Sequence, residues 1–235
     1  MMYRKLAGLG DGGATRTFRT GGFIIAKTGT RTAKKLIYGV HPGVLLTQKW
    51  IAELKQKTGR SLDEWLQVIK QEGPATENER RIWLKSKFSL GTNSAWWLAE
   101  RSLGKGEELG DPDHYLRAAE QYVEEMFSGK KAGLRPIYEA LLKLGLSQGK
   151  EAKACPCQTI VPLYRKHVFA QIKPTTQSRI DFGLALGNLK TPKRLIDTGG
   201  YAKKDRITHR FEITSLKDID DDVKRWLKVA YDRDA

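Results

Sequence analysis

The stretch Tyr164-Arg-Lys-His-Val-Phe-Ala-Gln-Ile-Lys173, followed by Ser178-Arg-Ile-Asp-Phe-Gly-Leu-Ala-Leu186 and Ile207-Thr-His-Arg-Phe-Glu-Ile213, decides the fold of this 235-residue chain. Each run alternates apolar and polar residues with a period of two, and Pro, Thr and Gly separate them, as in strands of an antiparallel sheet with one buried face. The first run is read as one strand in which Val168, Ala170 and Ile172 face a core. Arg165, His167, Phe169, Gln171 and Lys173 then face outward. In the second, Ile180, Phe182, Leu184 and Leu186 point inward, leaving Arg179, Asp181 and Gly183 outside. In the third, Ile207, His209, Phe211 and Ile213 alternate with Thr208, Arg210 and Glu212. A further strand is expected near Ala152–Cys157, with Pro156 marking it as an edge. Residues 187–206 form a long basic loop with a turn at Gly199-Gly200.

Helices are read on both sides of this sheet. Before it, Pro112 opens a helix carrying Tyr115, Ala119, Tyr122, Val123 and Met126, and a second carries Ile137, Ala140, Leu141 and Leu144. After it, Asp218, Asp220, Asp221 and Asp222 open an amphipathic helix with Val223, Trp226, Leu227, Ala230 and Tyr231 on one side. Further upstream, capping boxes at Ser61-Leu-Asp-Glu64 and Thr76-Glu-Asn-Glu79, with stops at Gly59, Gly73-Pro74 and Gly104, divide the chain into four short helices. The predicted fold class is α+β: an all-α domain over 43–106, then an α+β domain over 111–235 whose mainly antiparallel sheet of about four strands is covered by helices. Residues 1–42 are read as a disordered basic extension, a transit peptide or a start-site artefact.

The order Gly149-Lys-Glu-Ala-Lys-Ala-Cys-Pro-Cys157, the three runs above, and Ser215-Leu-Lys-Asp-Ile-Asp-Asp-Asp-Val-Lys-Arg-Trp-Leu-Lys-Val-Ala-Tyr231 resembles a C-terminal α+β domain of unknown function found in uncharacterised bacterial proteins, some labelled predicted transport proteins. Residues 44–104 resemble a small helical domain of unknown function that often precedes it. The resemblance implies the two-part architecture and carries over no catalytic residue.

The formal net charge is +15, and its distribution is uneven. Residues 1–42 carry eight Lys and Arg against one Asp, and residues 147–217 carry fourteen against five acids. Charge of this kind attracts polyanions by releasing their counterions. Arg165, His167, Lys173, Arg179, Lys193, Arg194 and Arg210 are therefore the candidate binding surface, with nucleic acid or an acidic protein as partner. Five of six tryptophans lie in the helical domain, where helical spacing makes them core. Trp96 and Trp97 are adjacent and diverge by about 100°, so one is a candidate contact between domains or with a partner.

The sequence offers no complete catalytic or cofactor motif. Gly8–Gly13 fits a dinucleotide fingerprint without the flanking strand and helix, and Gly8–Thr15 fits a phosphate loop with Ala14 in place of its lysine. Cys155 and Cys157 with His167 and His209 are metal-ligand types, but alternation sends the two histidines to opposite faces. Lys173, Asp181 and Glu212 are the ingredients of a metal-dependent nuclease; their spacing and the nearby arginines favour ion pairs. A helix-turn-helix over Thr76–Leu103 would have Arg101 as the only base on its second helix. No catalytic, cofactor or metal residue is assigned. The expectation is a cytoplasmic, non-membrane binding or accessory module. An enzyme or small-ligand site in an inter-domain crevice near Trp96, Trp97, His114 and His167 is the alternative, and a structural protein-interaction module the third reading.

Overall fold

The computed structural model describes residues 37–235, and these belong to one compact unit. The two glycine-rich phosphate-binding outlines and most of the expected extension lie outside the described residues. Four helices come first: α1 (Pro42–Thr58), α2 (Leu62–Glu72), α3 (Glu77–Phe88) and α4 (Thr92–Arg101). Ser61 and Thr76 both close reciprocal capping boxes, with Glu64 and Glu79 respectively, so the local signals fix where two of the helices start. Trp65, Leu84, Ala95 and Leu98 are buried between them, and Phe88 meets Trp65 and Trp83 edge-on.

A short 3-10 turn, Glu107–Gly110, joins this layer to α5 (Pro112–Met126), which Asp111 caps through the His114 amide. After α6 (Arg135–Leu146) the chain enters a six-stranded sheet: β1 (Lys153–Ala154), β2 (Val161–Tyr164), β3 (Val168–Pro174), β4 (Ile180–Leu184), β5 (Ile196–Asp197) and β6 (His209–Ile213). The strand order is β1-β2-β3-β4-β6-β5, with every pairing antiparallel. Helix α7 (Asp221–Asp232), capped by Asp220, closes the chain.

Register defines the two faces. Val161, Ile172, Phe182 and Phe211 are direct neighbours across four strands, and Leu163, Ala170, Leu184 and His209 form the next row. All eight side chains are buried, packed with Leu141, Val223, Leu227 and Ala230 from α6 and α7. On the opposite face the corresponding rows are Pro162, Gln171, Gly183 and Arg210, and Lys173, Asp181 and Glu212.

The structure corrects the reading of Tyr164–Lys173 as a single strand. Tyr164 ends β2, Arg165-Lys166-His167 make the turn, and Val168 begins β3. The register also shifts: Leu163 pairs with Ala170 but Tyr164 with Val168, so Phe169 is a bulge residue with no partner. A bulge adds one residue to one strand and breaks the alternation there. Phe169 is therefore fully buried, edge-on to Tyr231 of α7 at 5.2 Å, whereas half-buried Val168 lines a groove on the outer face. The last predicted strand is also shorter, starting at His209, and the basic loop contains the two-residue β5.

The segment before α1 is part of the fold as well. Tyr38 forms a parallel bridge with Ala154, Gly39 N donates to Ala154 O, and the Tyr38 and Tyr138 hydroxyls are 2.9 Å apart. Among the described residues no helix is long and apolar enough to cross a membrane.

Candidate functional site

The inner face of the sheet is sealed by helices, and the outer face is open. A groove of about 550 Å³ runs over it, floored by Pro162, Gln171 and Gly183 and walled by Ile207, Arg206 and Asp205. Gly183 makes this floor possible: a Cβ there would stand 2.6 Å from Ile207 Cγ2 and 2.9 Å from Gln171 Cγ. At Asp205 and Arg206 the groove meets a second cleft of about 650 Å³, lined also by Gly187, Tyr201, Lys204 and Arg233. The two hollows together bring in five cations, Lys173, Lys204, Arg206, Arg210 and Arg233, against two carboxylates, Asp181 and Asp205.

Ion pairs fix part of this charge. Arg210 Nη1 bonds Asp181 and Glu212, both at 2.8 Å. Arg179 pairs with the same two acids, both at 3.0 Å, although its Nε meets Asp181 at an angle that makes an ion pair rather than a hydrogen bond. The four side chains form a closed square of two arginines and two carboxylates. Lys173 shares their row and has no carboxylate within 4.0 Å among the described residues; the same is true of Lys204 and Arg233. Among the described residues that line the two hollows, these three are the cations without an ion pair.

The candidate residues read from the sequence divide into three places. Lys173, Arg179 and Arg210 share the outer face. Arg165 and His167 sit in the β2–β3 turn at the C-terminal end of α7: Arg165 bonds Glu151 at 2.8 Å and stacks over the Tyr231 ring at 4.6 Å, and the His167 amide and Nδ1 meet Asp234 at 2.7 and 3.0 Å. Lys193 and Arg194 lie in the loop before β5, where Arg194 pairs with Asp220 and covers the Phe211 ring at 5.4 Å. The turn and the loop do not join the outer-face row.

Asp234 ties the turn to the groove wall and was missed in the sequence. Asp234 is 4% exposed, and its carboxylate accepts from His167 and pairs with Arg206, whose Nε also donates to Val168 O at 2.9 Å. Asp234 thereby fastens the 198–206 loop to the start of β3. Within that loop Gly199 is left-handed at φ 69°, and so is Lys204 at φ 61°. Bonds from Lys204 N to Tyr201 O and from Asp205 N to Gly200 O close the turn, which holds Tyr201 60% exposed at its tip.

A second candidate region is the tryptophan crevice. Trp97 meets Trp50 edge-on at 4.8 Å, Trp96 is 38% exposed, and both line a crevice of only about 140 Å³ with Leu46 and Arg101. His114 and His167 line neither this crevice nor the groove.

At the far end of the groove is His41, the N-cap of α1 through its ring. Nδ1 accepts from Gly43 N at 2.9 Å, which leaves Nε2 to donate to the Tyr164 hydroxyl at 3.1 Å. Burial, assisted by the charge of Lys153, holds the imidazole below its ordinary pKa, favouring this neutral form. Cys155 is buried, its thiol pushed up to about 12 by desolvation and directed at Val40 O. His209 is on the inner face, bonded to Thr208 Oγ1 at 2.9 Å. Cys155, Cys157, His167 and His209 are thus in different surroundings, and the described residues contain no cluster of three or more metal-ligand types.

Residues 47–101 match a family model described as a Domain of unknown function (DUF4287), and residues 123–234 match another described as a Domain of unknown function (DUF5655). The first covers most of the four-helix layer, and the second covers the last turn of α5, then α6, the sheet and α7. No curated protein and no solved structure matches the chain.

Proposed function

We propose that this chain, which joins a DUF4287 segment to a DUF5655 segment, is a non-enzymatic binding module for an extended anionic partner, laid along the outer sheet face and the 198–206 loop. Single-stranded nucleic acid fits best. The observation that carries the reading is the continuity of groove and cleft through Arg206, with Lys173, Lys204 and Arg233 unpaired along it. Proteins that hold single strands combine a cationic track with exposed aromatic faces on which bases stack. Tyr201 supplies such a face beside Lys203 and Lys204.

The paired arginines have a different part. Their charge is balanced by Asp181 and Glu212, so they shape the groove and contribute little net attraction. The left-handed Lys204 also supports the reading, because backbone held in a sparsely populated region gathers at sites where a side chain must be aimed.

Fluorescence anisotropy of a labelled oligothymidylate across a salt series tests the proposal. Binding that weakens with salt at a slope of about −0.7 per phosphate contact is expected. Equal or tighter binding of poly-glutamate would replace the nucleic acid by an acidic protein, and no salt-dependent binding of either would remove the proposal.

A further inference from the structure

The geometry points to a second, chemically opposite site: a cavity of about 360 Å³, where α5 and the Glu107–Gly110 turn meet the loop after β1, that takes an organic ammonium group. Its volume lies at the lower end for small-molecule sites, about 300–1,000 Å³. The walls are aromatic and apolar, made by Tyr115, Tyr122, Leu109, Pro156 and Ile160. Among the described residues that line it, Glu108 is the single acid and none is a lysine or arginine.

Glu108 is half-buried and has no ion-pair partner within 4.0 Å among the described residues. Arg101 is close enough to feel its charge but lies beyond that distance. One carboxylate oxygen accepts from the Tyr122 hydroxyl at 2.9 Å, which leaves Oε2 with no donor among the described residues. Gln158 and Thr159 add polar side chains to the lining, while the phenol of Tyr115 and the ring of His41 are already engaged. Tyr115 donates to Pro156 O at 2.8 Å, and both ring nitrogens of His41 are used. Burial first and the charge of Glu108 second hold the Cys157 thiol up, and burial first and the hydrogen bond to Glu108 second push the Tyr122 phenol up to about 12.

A lone carboxylate facing two tyrosine rings is complementary to a cation on an apolar body. The ammonium would donate to Oε2, and the ring faces would attract the same charge through their quadrupoles. A nucleotide or other anion would meet an uncompensated carboxylate there. The cavity adjoins the far end of the outer groove, sharing His41, Cys157 and Ile160 with it, but the ligand it fits is opposite in charge to the anionic partner proposed for the outer face. An ammonium can arrive on a free amine or on a lysine side chain, and the recognition chemistry is the same for both.

Calorimetric titration of the full chain with tyramine, with a short lysine-containing peptide, and with uncharged N-acetyltyramine tests this. Expected is binding of one or both ammonium ligands at least tenfold tighter than of N-acetyltyramine, with Glu108→Gln reducing it about tenfold or more. The tighter of the two identifies the source. Ammonium ligands should also slow alkylation of Cys157, which lines the cavity, in a Cys155→Ser background. Equal affinity for N-acetyltyramine, or unchanged affinity in a Glu108→Gln protein with wild-type melting, would overturn the proposal. If Glu108→Gln does not fold, the charged and uncharged ligands compared on the wild-type chain decide alone.

Discussion

The two faces of one sheet differ in every physical respect that bears on function. Both are displayed by the same strands, one residue apart. The inner face is a continuous apolar surface, with Val161, Ile172, Phe182 and Phe211 in a row under α6 and α7. The outer face carries Lys173, Asp181, Glu212, Arg179 and Arg210, and the groove that runs over it is lined, among the described residues, by strand and loop side chains and by His41 at its end. The inner face supplies stability through burial, whereas the outer face spends little apolar area and keeps a groove about 550 Å³ in volume. Changes on one side should therefore read out in stability, and changes on the other in binding.

The largest effect is expected on the inner side. Phe182→Ala removes a fully buried ring from the centre of the row and should cost about 3–5 kcal/mol in denaturant unfolding. A much smaller loss would mean that the helices do not seal this face. Next is the tie between the faces. Asp234→Ala should cost about 1–2 kcal/mol, because the carboxylate is buried but its partners His167 and Arg206 are half-exposed or more. It should also accelerate proteolysis in the 198–206 loop; an unaltered cleavage rate would show that the loop holds itself.

On the outer side, Asp181→Asn should change stability by about 1 kcal/mol or less, while leaving Arg179 and Arg210 to share Glu212 alone and tightening oligonucleotide binding severalfold. Weaker binding would mean that the square, rather than its net charge, makes the site. The smallest effect concerns His41. Its pKa is depressed in the fold, so its contribution to stability is present above the unfolded value of about 6.5 and is lost as pH falls through the native value. His41→Asn keeps a capping side chain and should be less sensitive to acid between neutral pH and pH 5 than the wild type. Parallel stability curves for the two proteins would refute this assignment.

Much of this architecture is legible in the sequence because its signals are local. Ser61 and Thr76 start helices where their capping boxes require, Asp111-Pro112 opens α5, and the acid run at 218–222 surrounds the start of α7. The alternation of Ile180–Leu184 and His209–Ile213 gives their faces correctly. Tyr164–Lys173 misleads for an identifiable reason: its turn is Arg-Lys-His, with none of the Gly, Pro, Asn or Asp residues that mark hairpins, and a bulge then inverts the parity of Phe169. Pro42 at the first position of α1 was an available signal that His41 belongs to the fold. The contacts that build the site were not available. Arg206 and Asp234 are 28 residues apart, Glu108 faces Cys157 across the cavity, and no periodicity relates such pairs.

The most direct test compares two triple variants in the oligonucleotide salt series. Lys173, Lys204 and Arg233 changed together to alanine remove the unpaired cations of the groove and cleft. Lys70, Lys85 and Lys143 changed together remove the same charge from exposed positions on α2, α3 and α6. The outer-face account predicts that the first triple lowers the magnitude of the salt slope by about 2, at about 0.7 per lost contact, and that the second leaves it unchanged. Equal losses in the two triples would contradict it, placing the binding in the overall positive charge of the chain rather than on the outer face of the sheet.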